Sequence, residues 1–480
     1  MRHLKYKLLF LLSLISICSL GQYPDSLLKY LEIAATKSAL LKQKYTEYEA
    51  ALQKVPQAGA LQDPELSVGV FLKPMELVDG RQLTEASLMQ MFPWFGVLRN
   101  AKDEMSLMAN AKYDEFRDSK LQVFYDVQRT WYDIYKLRQN ISVSEKNVEI
   151  LKSIENLALI RYKTSGNASN TRQETVSPAR QTGQQNSGSS GNMSGMSGNA
   201  STGSVTSGGQ SSTGMQNNGS MEGSSSVTSL SDLYRINIEI SDLENNIALL
   251  KDQENYVTAD FNSMLNRPPL TSVFTTDTLL ADSLNYSLSE ISDSIKTKNP
   301  MLGMLDYEKQ SYDARKKMVK GMGYPMVGFG VNYSLIGKSE MSEAVGMNGK
   351  DMVMPMVKMT LPVYRKKYRS MQKEAELLSL VSAQKYIATS NDLQTQYYQA
   401  IQMYQSARRR ISLYNEQYQL ASKTLDLVLR SFSTSGAYLT DVLRVRQQTL
   451  EYELNRIEAV ADLNTSIALL KRLMAFSDIK

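Results

Sequence analysis

Residues 88–96, Leu-Met-Gln-Met-Phe-Pro-Trp-Phe-Gly, end a short run of apolar residues and begin a long segment with helical periodicity. Residues 357–364, Val-Lys-Met-Thr-Leu-Pro-Val-Tyr, repeat this arrangement, with a proline at the junction and a second long helical segment behind it. Each long segment ends near a Thr-Ser-Gly, at 164–166 and at 434–436. An acidic residue and a further helical segment follow each time. The chain therefore consists of two copies of one unit: helix, two strands, long helix, turn and helix.

The apolar spacing predicts the extent of each element. In the first copy, residues 22–269, it predicts helix 25–55, strands 65–73 and 83–92, long helix 101–165 and return helix 230–265. In the second copy, residues 287–480, it predicts helix 287–320, strands 326–336 and 352–361, long helix 364–433 and return helix 437–474. Residues 270–286 link the copies. We therefore expect a mainly α fold with a small β part.

The lengths of the helices predict how they pack. Helices 25–55 and 230–265 together contain 67 residues, against 65 for helix 101–165. Two short helices placed end to end thus match one long helix of about 100 Å, at 1.5 Å per residue. The apolar 3/4 spacing of the long helices is typical of a coiled-coil-like contact. Each strand has about ten residues, enough to cross a bilayer at a tilt.

The first 21 residues have the pattern of a secretory signal peptide: a basic start, an apolar stretch from Leu8 to Ile17 and a small-x-small cleavage site before Gln22. Cys18, the single cysteine of the sequence, lies within this segment. A lipid-modified Cys18 is the alternative to simple cleavage. Cleavage also removes His3, the single histidine. A mature chain without His or Cys lacks the usual zinc sites, Cys or His nucleophiles and disulfides. We expect no enzyme activity and no cofactor.

Charge and hydropathy narrow the class further. Without its signal segment the chain keeps 51 Lys and Arg against 49 Asp and Glu, which predicts no nucleic-acid binding. The mean hydropathy of −0.33 and the absence of a further long apolar run predict no transmembrane helix. Membrane entry would then use the strands. Four strands leave open edges that lipid does not tolerate, so we expect an oligomer in which neighbouring copies close the sheet.

These features resemble the TolC-type outer-membrane efflux proteins, the outer-membrane factors of tripartite pumps. The resemblance covers the mature chain except 167–228. It rests on the duplicated strand-Pro-helix junctions at Pro93 and Pro362, the Gly…Asp-[Leu/Val]-x-Arg turns, and residues 261–269, Phe-Asn-Ser-Met-Leu-Asn-Arg-Pro-Pro. It implies a homotrimer with a twelve-stranded β-barrel in the outer membrane of a Gram-negative bacterium and an α-helical tunnel across the periplasm. The linker 270–286 would belong to a belt around that tunnel.

The resemblance also assigns the turns to the periplasmic tip, where the tunnel narrows and an adaptor protein docks. The tip residues would be Gly166, Asp232, Arg235, Gly436, Asp441 and Arg444. Arginines stand where the family often has a second acidic residue, which favours a helix-to-helix salt-bridge latch over a cation-binding ring. The alternative is that Asp232 and Asp441 act as N-caps of the helices that follow.

Methionines suggest a further hypothesis. The Ser/Gly/Asn-rich stretch 167–228 cannot form a core, so we expect it to be disordered, as a tolerated insertion at a loop tip. The alternative is a thioether trap for Cu(I) or Ag(I), because soft sulfur ligands suit these ions. Methionines on one face of the predicted strand 352–361 likewise point to the heavy-metal (copper or silver) branch of the family. The candidate metal ligands are Met193, Met196, Met215, Met221, Met352, Met354 and Met356.

The sequence therefore predicts a passive channel of a tripartite efflux system that conducts small molecules or metal ions. Its predicted partners are a periplasmic adaptor and an inner-membrane pump, for which the RND type is one candidate. A type I secretion duct for a protein is one alternative. A periplasm-spanning structural coiled-coil protein without a channel is another, against which the strand pairs argue. Among the aromatic residues, we expect Trp94 at a membrane interface and Trp131 in the packing between helices.

Overall fold

The computed structural model describes residues 27–77, 80–169, 230–284, 286–340, 349–434 and 436–476, with the backbone alone for 164–169. The predicted signal peptide and nearly all of the predicted insertion lie outside these ranges. The first copy contains α1 (Leu27–Lys37), α2 (Ala39–Gly59), β1 (Glu65–Leu77), β2 (Gly80–Phe92), α3 (Val97–Ser169) and α4 (Leu230–Met264). The second contains α5 (Leu288–Lys298), α6 (Pro300–Met322), β3 (Met326–Gly337), β4 (Met352–Thr360), α7 (Arg365–Ser433) and α8 (Leu439–Leu473). The prediction of a mainly helical chain with a small sheet is confirmed.

The first helix of each copy is divided in two, which the apolar spacing did not indicate. Asn299 separates α5 from α6 with an extended backbone (ψ 123°), and its side chain caps the N–H of Met301 at 3.0 Å. Pro300 imposes this break, because proline disfavours helical geometry in the residue before it. Ser38 separates α1 from α2 in a similar conformation (ψ 126°). Pro56, by contrast, does not end α2, which continues to Gly59.

Several other bounds differ from the predicted ones by a few residues. Strand β1 continues to Leu77 and β2 begins at Gly80, beyond the predicted ends of both strands. Pairing of the two strands across their short turn accounts for this, since Glu76 pairs with Arg81 and Leu77 with Gly80. Helix α3 ends at Ser169 and so includes Gly166, where a turn was predicted.

The four strands form one antiparallel sheet in the order β1-β2-β3-β4. The central pair joins the two copies, because β2 runs beside β3 from Arg81↔Gly337 to Phe92↔Val327. Within the described residues, β1 and β4 each pair on one side only. Register shifts occur between Val70 and Met75 and between Gln82 and Thr84. The sheet thus has two open edges.

The chain divides into two compact units. The first comprises residues 1–145, 245–419 and 450–480 and contains the sheet. One of its apolar clusters consists of Tyr30, Leu31, Ala34, Leu41, Val123, Phe124, Val127, Trp131, Ile134, Phe261, Leu265 and Val273. Another consists of Ile291, Ile295, Leu302, Leu393, Tyr397, Ala400, Leu470, Leu473 and Met474. Each cluster therefore joins residues far apart in sequence: the first cluster combines the first copy with Val273 of the linker, and the second lies within the second copy.

The second unit comprises residues 146–244 and 420–449 and so holds the described ends of the helices next to the predicted tip. It buries apolar side chains from each of its helices: Val148, Leu151, Ile154, Leu233, Ile236, Ile240, Leu425, Phe432, Leu439, Val442 and Val445. Across the part of the chain that the structure describes, no helix combines the length and the apolar character that crossing a membrane requires.

Candidate functional site

The sheet has two chemically different faces, because successive side chains of a strand point to opposite sides and paired residues share a side. One side, which we call the apolar face, carries Leu66, Val68, Val70, Thr84, Ala86, Leu88, Gln90, Phe92, Val327, Phe329, Val331, Tyr333, Leu335, Val353, Pro355, Val357 and Met359. Its large side chains are exposed: Val68 by 62%, Phe329 by 57% and Val357 by 69%. An exposed apolar area of this extent marks a surface for lipid or a partner.

The opposite side, which we call the mixed face, carries Glu65, Ser67, Gly69, Glu85, Ser87, Met89, Met91, Gly328, Gly330, Asn332, Ser334, Met352, Met354, Met356 and Lys358. Its polar side chains bond across strands. Asn332 donates to Glu85, and Gln82 lies 3.3 Å from the hydroxyl of Ser334. The mixed face thus combines hydrogen-bonded polar groups with thioethers.

The two predicted strand-helix junctions follow the sheet directly. Pro93 comes immediately after β2, and Pro362 lies between β4 and α7. Trp94 is 38% exposed and stacks on Tyr324, with ring centroids 5.2 Å apart. Beside Pro93 lies an apolar pocket of about 530 Å³ lined by Leu61, Phe92, Pro93, Trp94, Phe95, Gly96, Leu98, Pro325, Val327 and Phe329. An aromatic group at the end of a sheet with an apolar face is the arrangement that membrane interfaces favour.

The predicted tip residues lie at the ends of helices in the second unit. Asp232 and Asp441 each lie in the first turn of a helix, where a carboxylate interacts favourably with the helix dipole. Arg444 lies 3.0 Å from Asp441 on the same helix; the side chain of Arg444 is 70% exposed and that of Asp441 is 41% exposed. Arg235 is exposed on α4. The backbone N–H of Gly436 donates to Ser431 O at 2.8 Å and turns the chain after α7.

Two arginines that the sequence analysis did not select connect helices within the second unit. Arg161 of α3 donates to Phe432 O at 3.0 Å, and its guanidinium lies 4.8 Å from the centre of the Phe432 ring. Arg446 of α8 is buried and donates to the buried Asn147 of α3. The sequence signal for this pair is weak, since it consists of an Asn and an Arg inside long helices that carry many exposed polar residues.

The linker 270–286 is held to α3 by side chains of the first unit. Trp131, 3% exposed, donates to Phe274 O at 3.1 Å. Arg138 donates to Val273 O and forms an ion pair of 2.7 Å with Glu254 of α4. Tyr30 accepts a hydrogen bond from Phe274 N at 2.9 Å. These contacts fix the described part of the segment that links the two copies.

Two carboxyl groups of α3 lie in poorly solvated surroundings in the first unit. Glu104 is 6% exposed, and burial raises its pKa above the usual range, with the charge of Arg315 partly opposing the shift. Burial also raises the pKa of Asp118, opposed by the charge of Arg472. No described residues form a group of three or more His, Cys, Asp and Glu side chains suited to a metal ion.

The predicted methionine ligands fall into two sets. Met352, Met354 and Met356 share the mixed face, and the first two are 43% and 46% exposed. Met193, Met196, Met215 and Met221 lie outside the described residues. Met89 and Met91 were not among the predicted ligands, yet the strand register places both on the mixed face. Apolar residues occupy both sides of β2, so periodicity alone could not assign its faces.

Comparison with known proteins agrees with this architecture. The sequence matches no family model and no curated protein. Among solved structures, the outer membrane protein VceC of Vibrio cholerae is similar at 11% identity, with a TM-score of 0.67 over 94% of this chain and 96% of that one. CusC, described as forming a transmembrane channel, is similar at 12% identity, with a TM-score of 0.69 over 96% of both chains. The CmeC outer membrane channel of Campylobacter jejuni is similar at 10% identity, with a TM-score of 0.67 over 95% of this chain and 87% of that one. The chain has the fold of TolC-type outer-membrane channels.

Proposed function

We propose that this chain is the outer-membrane channel of a tripartite efflux system, and that it passively conducts small molecules or metal ions out of the periplasm of a Gram-negative bacterium. The two-faced sheet is the observation that carries the proposal. Its apolar face is suited to lipid and its mixed face to a water-filled passage. The shared fold with outer-membrane channels is consistent with this assignment.

The open edges of the sheet support a closed ring of copies, and the resemblance to TolC-type channels implies that the ring is a homotrimer. Unpaired strand edges leave backbone N–H and C=O groups without partners, which costs several kcal/mol per group in a hydrocarbon environment. Three copies of a four-stranded sheet would pair every edge and give a twelve-stranded barrel. The long helices would then continue from the barrel as the wall of a periplasmic tunnel.

The tip proposal concerns the second unit. Asp232, Arg235, Asp441 and Arg444, with Gly166 near the end of α3 and the turn at Gly436, would border the periplasmic opening and meet the adaptor. A latch would form where an arginine of one helix reaches a carboxylate of a neighbouring helix. Within the described chain Arg444 pairs along its own helix with Asp441, so the latch would require an exchange of partners in the assembly.

The first experiment measures assembly and conduction. The full chain, purified from membranes in detergent, should have the mass of three chains after correction for detergent. It should also produce single-channel currents in a planar bilayer. A monomer that gives no current would overturn the proposal and favour a structural protein without a channel.

A second experiment addresses the cargo. A deletion strain should be challenged with copper, silver, dyes and detergents, and complemented with the full chain or with a chain lacking 167–228. The compounds to which the deletion strain is sensitive, and to which the complementing chain restores tolerance, identify the class of cargo. Unchanged tolerance to every compound in the deletion strain would contradict an efflux role.

A further inference from the structure

Two glycines of β3 create a trough on the mixed face. Gly330 pairs with Met89 on one side and with Met356 on the other, and Gly328 pairs with Met91 and Lys358. Because glycine has no side chain, the space above β3 at these two positions is open to side chains of the flanking strands.

Methionine sulfurs occupy this trough. The position that a Cβ atom on Gly328 would take lies 2.4 Å from the sulfur of Met91 and 3.3 Å from the sulfur of Met89. The corresponding position on Gly330 lies 3.0 Å from the sulfur of Met89. The two thioethers therefore lean over the glycines and come close to each other. Both side chains are partly buried.

Met356 is placed to supply a third sulfur. It lies two strands from Met89 across Gly330, a separation of roughly 10 Å between backbones at about 4.8 Å per strand. Two extended methionine side chains are long enough to meet across such a gap. Met356 is also partly buried, whereas Met352 and Met354 on the same strand are exposed.

The charges around the trough nearly balance. Glu65 pairs with Met89 at one end, and Lys358 pairs with Gly328 at the other. A site with one carboxylate, one ammonium and neutral thioethers does not suit a hard divalent cation, which requires several oxygen ligands. It suits a soft monovalent ion.

We propose that Met89 and Met91, with Met356 as the third ligand, form a binding site for a soft monovalent cation, Cu(I) or Ag(I). Thioether sulfur selects these ions by softness. The binding site is inferred from the positions of the sulfurs alone. The inference that it binds the transported ion inside the channel rests on the proposed function. Methionine also packs readily without binding anything, and the experiment separates these two roles.

The test titrates Ag(I) alone into the purified full chain in detergent by calorimetry. The double variant Met89→Leu/Met91→Leu keeps the volume of the side chains and removes both sulfurs. Its affinity for Ag(I) at this site should fall by at least about tenfold, since even outer-shell partners of a metal carry 10- to 100-fold. Met356→Leu should weaken the same binding event. Met359→Leu, on the apolar face of the same strand, is the matched control and should leave it unchanged.

A second variant keeps every sulfur and changes the trough. Gly328→Ala places a methyl group 2.4 Å from the present sulfur position of Met91, so this flexible side chain must move away. We expect weaker Ag(I) binding with no change in the number of methionines. Circular dichroism and thermal unfolding establish that each variant is folded before it is titrated.

The dependence on pH provides an independent criterion. Thioethers carry no titrating proton, so binding to this site should stay constant from about pH 5 to pH 8, unlike binding to histidine or carboxylate ligands. The inference is overturned if the double variant and Met359→Leu bind Ag(I) equally, or if binding follows a titration. Failure of the proposed function would appear separately, as an absence of current from the unaltered protein.

Discussion

Val353 lies on the apolar face of β4, with 62% of its surface exposed, and we predict that arginine at this position destabilises the protein. For a surface that faces water, replacing an exposed valine changes stability by about 0.5 kcal/mol or less. For a barrel surface that faces lipid, an arginine near the midplane costs about 2–4 kcal/mol. The two environments therefore predict clearly different outcomes.

Under the proposed function the larger cost applies. Val353 pairs with Tyr333, which pairs in turn with Ala86 and, through it, lies in line with Val68. The neighbours of Val353 on all three other strands therefore belong to the apolar face. In a trimer the cost acts three times, about 6–12 kcal/mol per assembly. Such a loss should prevent stable assembly or lower its resistance to denaturant strongly.

Met354→Arg is the matched control. Met354 is the next residue of β4, is 46% exposed and lies on the mixed face. An arginine there should reach water in the passage and be tolerated. The assay compares urea unfolding of the two variants in lipid vesicles, together with the amount of assembled protein in the membrane. Equal behaviour of Val353→Arg and Met354→Arg would refute the assignment of the two faces.

Three further predictions concern the helices. Burial raises the pKa of Glu104, so the folded protein holds the proton of this carboxyl group more tightly than the unfolded chain does. The protonated Glu104 therefore contributes fully to stability below the unfolded pKa of about 4.3, and this contribution is lost as the pH rises through the folded pKa. Glu104→Gln should therefore raise Tm at pH 7 and give no such gain below about pH 4; a gain that does not vary with pH would contradict this. Arg138→Met removes the bonds to Glu254 and Val273 O, so it should lower the free energy of unfolding by about 1.5–3 kcal/mol and speed proteolysis within 270–286. Lys251→Met breaks the half-exposed pair with Glu145 and should lower the free energy of unfolding by less than about 1 kcal/mol. Arg446→Ala, which leaves the buried Asn147 without this donor, should cost about 1–3 kcal/mol in denaturant unfolding; Arg444→Ala, at an exposed pair, should cost less than about 1 kcal/mol, and equal losses would argue against the importance of burial.

The predicted strands and junctions illustrate what local sequence contains. Alternation in 326–336 and 352–361 depends on neighbours in the chain, and the prolines at 93 and 362 constrain the backbone beside them. Such signals are read within a short window. The division of the first helices at Ser38 and Asn299 was missed because the prediction followed the apolar spacing, which continues across both breaks. For the second break Pro300 is a local signal that the prediction did not use.

Local sequence signals do not predict which face of the sheet carries Met89 and Met91. Strand β2 has the apolar residues Leu88, Met89 and Met91 on both of its sides, with Gln90 between the methionines. The two-residue period of a strand therefore does not separate a buried side from an exposed one here. Pairing with Gly328 and Gly330, more than two hundred residues away, gives the two sulfurs a common trough. The linker carbonyl groups that Trp131 and Arg138 bind were equally unpredictable, since the linker has no periodicity.

The sequence by itself determined the duplicated plan, the mainly helical character and the short strand pairs, because periodicity and proline positions act on adjacent residues. The tertiary structure alone decided that β2 runs beside β3, and with it which residues share a face across four strands. Hydrogen bonds between strands are formed by backbone groups that every residue except proline carries, so residue types do not specify which distant strand will be the neighbour. The apolar face, the mixed face and the thioether trough follow from that pairing.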